Sequence, residues 1–307
     1  MQNDFGNGGM VNPGFPVMPP PPGAPGYGMP GPIGIPNPNS PGMAGVDPNA
    51  VSLPQALGFC QKGVFIKQKL NLVKLLTGCQ TPNRYLVYEQ DHRGQSVGNP
   101  IFACKEDSNC CLRQMCAASC KPFDLHVHKC SRASDDPFQG SPMVLHLQRE
   151  CKCTFLCCNR PEMKVNYVEN GQSKYLGKVV DEFACCNFVY KIYDEKDQEK
   201  YHIEANCCQL GFMCNCPCES CQTLQFDLFR VTPSGRSPLA PIMKHGKKNC
   251  CRNMLGENTN FAVPFITDMA WEDKCLLMAA ALLIEYMQFE ERPDKNQNQN
   301  NTLIDHS

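Results

Sequence analysis

The sequence predicts a mainly β chain whose short antiparallel strands close into a barrel around one C-terminal apolar helix. Three observations lead there. Short apolar segments separated by turn signals recur from residue 63 to residue 231, at the spacing of roughly 8–12 residues expected of an antiparallel sandwich or barrel. Cys275–Ile284 (CLLMAAALLI) is ten consecutive non-polar residues rich in helix formers, which reads as a helix apolar on every side. Ten residues rise only about 15 Å, half of the ~30 Å hydrocarbon layer of a bilayer. A helix threaded through a closed barrel satisfies both patterns; insertion of that helix into a membrane is the competing reading.

The elements follow in order. Residues 1–50 hold 13 Pro and 11 Gly, with Asp4 and Asp47 as the only charges. Such a segment cannot bury enough apolar surface to offset its ordering entropy, so residues 1–52 are expected to be disordered with polyproline II character. Pro16-Val17-Met18-Pro19 and Pro22-Gly23-Ala24-Pro25 fit PxxP, a ligand pattern for SH3 or WW domains that a plain spacer also shows. Residues 53–291 form the expected barrel domain. Val64–Lys69 is a first strand, Leu70–Leu76 a short helix stopped by Gly78, and Tyr85–Glu89 a second strand. Phe123, Leu125 and Val127 alternate with polar residues, as do Met143, Leu145 and Leu147. Met163–Val168 meets Leu176–Val180 across Asn170-Gly171, the strongest short hairpin signal. Phe188–Tyr193 meets Tyr201–Glu204, and Leu224–Val231 ends at Thr232-Pro-Ser-Gly. Residues 292–307 are polar and expected to be disordered.

Composition excludes several classes. Lys plus Arg is 29 against 30 Asp plus Glu, so there is no basic excess for a general nucleic-acid binder. The first twenty residues lack the basic and apolar regions of a signal peptide. The 23 cysteines are odd in number and include five adjacent pairs, which bridge each other poorly. They therefore read as thiols, metal ligands or acylation sites in a reducing compartment.

Catalytic motifs are weak. Gly94-Gln95-Ser96-Val97-Gly98 matches a nucleophile elbow, but Asn99-Pro100 blocks the helix that motif needs. A hairpin loop is the better reading. Gly171–Val179 departs from a P-loop in length and puts Val179 where a hydroxyl must bind magnesium. His126 and His128 fall on the polar face of a strand and are expected to be exposed, and His146 and His202 lie in strands and are expected to have no acidic partner nearby. The cysteines form clusters: Cys151-Lys-Cys153-Thr-Phe-Leu-Cys157-Cys158, Cys214–Cys221 after Cys207-Cys208, and a group from Cys104 to Cys130. Only Cys218-Glu-Ser-Cys221 has the CxxC spacing that zinc favours. Thiols packed beside Phe155 and Leu156 suit S-acylation, where two or more chains hold a protein on a membrane.

The chain resembles the phospholipid scramblases from about Leu53 to Glu290. The resemblance is carried by an ordered set: the Pro/Gly-rich start, KLNLVKLLTGCQTPNRYLVYEQDHRGQ, Ala103–Asp107, Cys110-Cys111, Lys121-Pro122-Phe123, the cysteine-rich run after Leu147-Gln148-Arg149, Asn260-Phe261, and the apolar segment ending Met287-Gln288-Phe289-Glu290. It implies a Tubby-like fold and ATP-independent, calcium-stimulated, bidirectional movement of phospholipids between leaflets, with no covalent catalysis. It implies palmitate on Cys151, Cys153, Cys157 and Cys158. It also implies calcium at Glu257, Thr259, Phe261, Val263 and Asp268, the two apolar residues through their carbonyls. Two carboxylates make that a weak site; a polar loop with Asp268 capping the following helix is the alternative. The basic segment Lys244, His245, Lys247, Lys248 and Arg252 resembles a nuclear import signal, and a patch facing anionic headgroups or a solvated loop would look the same. The expected location is the cytoplasmic face of the plasma membrane, held by palmitate or by the single C-terminal helix, with a nuclear pool if unacylated. The rival function is a palmitoylated adaptor that moves no lipid. A third, a zinc-dependent structural or nucleic-acid module, requires tightly bound metal.

Overall fold

The computed structural model describes residues 51–69, 82–108, 121–130, 138, 141–152, 158–213, 219–246 and 260–289. A short helix α1 (Leu53–Phe59) precedes the strands β1 (Gly63–Gln68), β2 (Arg84–Gln90), β3 (Ser96–Asp107), β4 (Phe123–Lys129), β5 (Met143–Arg149), β6 (Glu162–Glu169), β7 (Gln172–Glu182), β8 (Asn187–Asp194) and β9 (Glu199–Asn206). Two single turns, α2 (Leu210–Met213) and α3 (Glu219–Gln222), lead to β10 (Thr223–Thr232), β11 (Gly235–Pro238), β12 (Ile242–His245) and β13 (Asn260–Pro264). The helix α4 (Trp271–Gln288) follows. All pairings are antiparallel, in the order β11-β10-β12-β13-β1 and onward to β9. Leu228 on β10 also pairs with Ile203 on β9, which closes the ring. Twelve strands make the barrel, and β11 is a hairpin arm on β10. The mainly β barrel expected from sequence is the fold observed. The segment Leu70–Leu76, the Pro-rich tail and residues 292–307 lie outside the described residues.

The strands form where alternation and turn chemistry agree. Phe123, Leu125 and Val127 point inward and are buried. Asn170 and Gly171 both take positive φ, 50° and 76°, the type I′ geometry that matches strand twist. Asp91 closes the β2–β3 turn by accepting from the Arg93 and Gln95 amides through Oδ1, both at 2.8 Å. The GQSVG stretch is thus a hairpin loop running into β3. On β5 the buried residues are Val144, Leu145, Leu147 and Arg149, while Met143 is half-buried. A bulge at Val127/His128 shifts the register there. Gly177 is a conformational necessity. Its φ is 148°, and a Cβ there would sit 2.1 Å from the Tyr193 carbonyl oxygen.

The barrel is filled by α4. Every residue from Asp273 to Tyr286 is buried, so the all-round apolar face seen in the sequence meets strands on every side. The helix extends past Cys275–Ile284 at both ends because its polar residues find partners. Asp273 accepts from Lys200 Nζ at 2.6 Å and from Tyr201 OH at 3.0 Å, and an acid in the first turn suits the helix dipole. The Lys274 ammonium donates to the carbonyls of Leu57 and Cys60 at 2.9 and 3.4 Å, which fastens α1 across that end of the barrel. The sequence signal for α1 is a capping box: Ser52 followed by Gln55, whose Oε1 accepts from the Ser52 amide at 3.0 Å. The N-cap of α4 is Ala270, so Asp268 does not cap it.

Candidate functional site

Strand alternation sorts the connections between two barrel ends. Residues 69–83, 108–122, 150–161, 183–186, 207–222 and 246–259 all leave one end, where α4 also finishes. By sequence these connections hold one, four, four, two, six and two cysteines, 19 of the chain's 23. Cys60, Cys104, Cys130 and Cys275 are the remainder, and none belongs to this cysteine end. The opposite, α1 end receives residues 91–95, 130–142, 170–171, 195–198, 233–234 and 265–270.

Among the described site residues, Cys151, Cys158, Lys244 and His245 share the cysteine end. Cys151 and Cys158 are both there and exposed; Cys153 and Cys157 lie outside the described residues. Lys244 and His245 finish β12 at the same end. The Lys244 ammonium stands 3.7 Å over the Phe289 ring, and the His245 ring stacks on Phe65 with centroids 6.3 Å apart. Lys247, Lys248 and Arg252 lie outside the described residues, as do Glu257 and Thr259.

The calcium set is divided by the fold. Phe261 and Val263 are buried residues of β13, which pairs with β1 along its length and with β12 over Asn260–Ala262. Alternate residues of a strand repeat every ~6.6–6.8 Å. Two oxygens on one calcium ion, each at 2.3–2.6 Å, stand at most about 5 Å apart. One ion therefore cannot take both carbonyls while β13 stays in the sheet. Asp268 is exposed in the turn at the α1 end, whereas the connection bearing Glu257 and Thr259 enters β13 from the cysteine end. As placed, Phe261, Val263 and Asp268 do not fit a single calcium site. Among the described residues no group of three or more His, Cys, Asp or Glu is arranged to hold a metal ion.

Inside the cysteine end, α4 is surrounded by paired charge. Glu106 accepts from the Asn83 amide at 2.9 Å and from Tyr286 OH at 3.0 Å, with Lys121 Nζ at 3.5 Å. Burial pushes the Glu106 carboxyl up, but Lys121 and the hydrogen bonds from Ser108, Asn83 and Tyr286 outweigh it and hold it below its ordinary value. Gln288 donates to Tyr190 OH at 2.9 Å. Arg149 and Glu285 are buried in the same region. Asp181 pairs with Arg160, yet burial dominates and raises its carboxyl to about 6 against the pull of Arg160 and Arg149. A carboxyl that holds its proton more tightly folded than unfolded stabilises the fold while protonated. That contribution is complete below pH ~4 and lost as pH rises through about 6. We expect Asp181→Asn to flatten this decline, read as urea unfolding free energies from pH 4 to 7; an unchanged slope would exclude Asp181 as its source.

The histidines also differ from expectation. His126 and His128 are half-buried, not exposed. His146 does have an acidic partner: its Nε2 lies 2.8 Å from Asp124 Oδ1. The pair is diagonal across β4 and β5, a neighbourhood that only strand register creates. His202 likewise sits 3.5 Å from Glu199 and 3.8 Å from Glu204. Burial pushes the His202 imidazole pKa down.

Among the described residues no helix is long and apolar enough to cross a membrane; α4, the candidate single-helix anchor, occupies the barrel. Relatives carry names consistent with a lipid-facing role. The chain is 27% identical to phospholipid scramblase 1 of Homo sapiens over 234 residues, covering 76% of this chain and 65% of that protein. It is 26% identical to phospholipid scramblase 1 of Rattus norvegicus, covering 76% and 62%. It is 25% identical to phospholipid scramblase 2 of Bos taurus, covering 74% and 68%. The chain thus spans less than two thirds of the length of the first two. No solved structure matches it. The Scramblase family model matches residues 43–291, which takes in α1, the whole barrel and the helix inside it: the chain belongs to the Scramblase family.

Proposed function

We propose that this chain moves phospholipids in both directions between bilayer leaflets, without ATP and with stimulation by calcium. The observation that carries the reading is the match of the Scramblase family across the entire barrel and α4, together with relatives named phospholipid scramblases. Attachment is by palmitate on the Cys151–Cys158 segment at the cytoplasmic face of the plasma membrane, and the Pro-rich tail recruits SH3 or WW domains. Calcium acting through residues 257–268 requires β13 to leave β1, or ligands other than the Phe261 and Val263 carbonyls.

The test is a vesicle assay on the purified full chain, with a fluorescent phospholipid in both leaflets and a quencher added outside. Transport predicts quenching beyond half without ATP, faster in millimolar calcium. Because Asp268 lies at the opposite end from the Glu257 connection, we expect Asp268→Ala to keep the calcium response. Its loss would mean that β13 rearranges. Quenching that stalls at half under every condition would sink direct transport and favour the acylated adaptor.

A further inference from the structure

The two barrel ends differ in thiols, and the cysteine end also exposes apolar side chains. By sequence, the segments that join strands at the cysteine end contain nine Lys or Arg against three Glu. Five large hydrophobic residues are exposed among the described residues: Phe59, Val97, Phe183, Leu210 and Met213. The last three are at the cysteine end, Phe183 in the β7–β8 turn and Leu210 and Met213 on α2. Met213 is 74% exposed.

Among the thiols of the same two connections are Cys185, Cys186, Cys207 and Cys208. Cys185 and Cys186 are exposed, as is Cys208. The Cys207 amide donates to the Cys186 carbonyl at 3.4 Å, so the two connections touch. Cys207 Sγ and Cys208 Sγ are 3.8 Å apart. This group is separate in sequence from Cys151–Cys158.

We infer that the cysteine end is the bilayer-docking face and that Cys185, Cys186, Cys207 and Cys208 are a second S-acylation site. Phe183, Leu210 and Met213 enter the headgroup boundary, and the thiols are held at the depth where acyl chains begin. In the modification the thiol sulfur attacks the carbonyl carbon of a long-chain acyl-coenzyme A. The new sulfur–acyl bond forms as the old thioester bond breaks, the thiol proton leaves with the coenzyme A thiol, and nothing is oxidised or reduced. One acyl chain binds marginally and two hold, so a pair of adjacent thiols suffices for a stable anchor. The inference stands whether or not the chain moves lipid.

Two readouts test it on the full chain. Unacylated protein is floated with phosphatidylcholine vesicles containing roughly 20 mol% phosphatidylserine, a surface that attracts basic segments. Combining Phe183→Asp, Leu210→Asp and Met213→Asp should weaken binding about tenfold or more. Phe59→Asp with Val97→Asp, at the α1 end, should leave it unchanged, with thermal unfolding showing both variants folded. Equal loss in the two variants, or none in either, would overturn the docking face. Separately, a chain with Cys151, Cys153, Cys157 and Cys158 changed to Ser is expressed in cells. It should keep at least two hydroxylamine-labile acyl groups and lose them on further change of Cys185, Cys186, Cys207 and Cys208 to Ser. Absence of labile acyl groups from the first variant would overturn the second site. Flotation and thioester counting need no lipid movement, so their failure is distinct from failure of scrambling.

Discussion

Leu277→Asp should abolish folding of the barrel. Leu277 is fully buried in α4, between Leu276 and Met278, which are buried equally. Truncating a buried leucine costs about 2–5 kcal/mol. Placing a carboxyl there without a partner adds several kcal/mol more, whether it stays charged or takes up a proton. The total rivals the whole stability of a domain, about 5–15 kcal/mol. The surface equivalent should be silent, because what matters is the closed ring of strands around this position. Leu277→Met conserves volume and should cost less than about 1.5 kcal/mol. Near-ultraviolet circular dichroism and urea unfolding separate the three cases. A cooperative transition retained by Leu277→Asp would show that α4 is not enclosed as described.

Local signals carried much of this fold. Asn170-Gly171 specified its hairpin, the Phe123-Leu125-Val127 alternation specified an inward face, and the apolar run specified a helix that needs enclosure. What stayed hidden was non-local. Closure depends on β9 meeting β10 through residues 201–204 and 227–230, and nothing in either strand announces its partner. The partners of buried charge were equally invisible: Asp273 with Lys200, 73 residues apart in sequence, and Tyr286 with Glu106, 180 apart. The cysteine clusters looked separate along the chain, yet alternating strand direction alone carries them to one end. The calcium segment shows the converse. Read linearly, residues 257–268 form one loop, but the strand Asn260–Pro264 enters from the cysteine end and delivers Asp268 to the α1 end.

Amide hydrogens of α4 should exchange only when the whole domain unfolds, and docking on vesicles should not change that. The seven largest apolar side chains enclosed on the helix are Leu276, Leu277, Met278, Leu282, Leu283, Ile284 and Tyr286. At about 1.5–3 kcal/mol each, their burial exceeds 10 kcal/mol. Exposing them to water costs as much as unfolding, so no state with α4 outside an intact barrel is populated there. Protection factors should then reach about 10⁴ or more and match global stability. Lipid removes that penalty, since acyl chains are as apolar as the barrel interior, so a vesicle offers the helix an alternative home. The charges at its ends oppose the move. Glu285 would enter the hydrocarbon, and Asp273 would give up Lys200 and Tyr201. A charged group costs about 2.5–3.5 kcal/mol at mid-bilayer and less toward the interface, and the lost partners of Asp273 add to that cost. We therefore expect hydrogen exchange on phosphatidylcholine/phosphatidylserine vesicles to leave α4 protection within tenfold of its value in solution. On the proposed function, lipid movement would then arise at the proposed docking face and not through release of α4. A hundredfold loss of protection confined to α4, with the strands still protected, would instead show that the helix leaves the barrel for the bilayer.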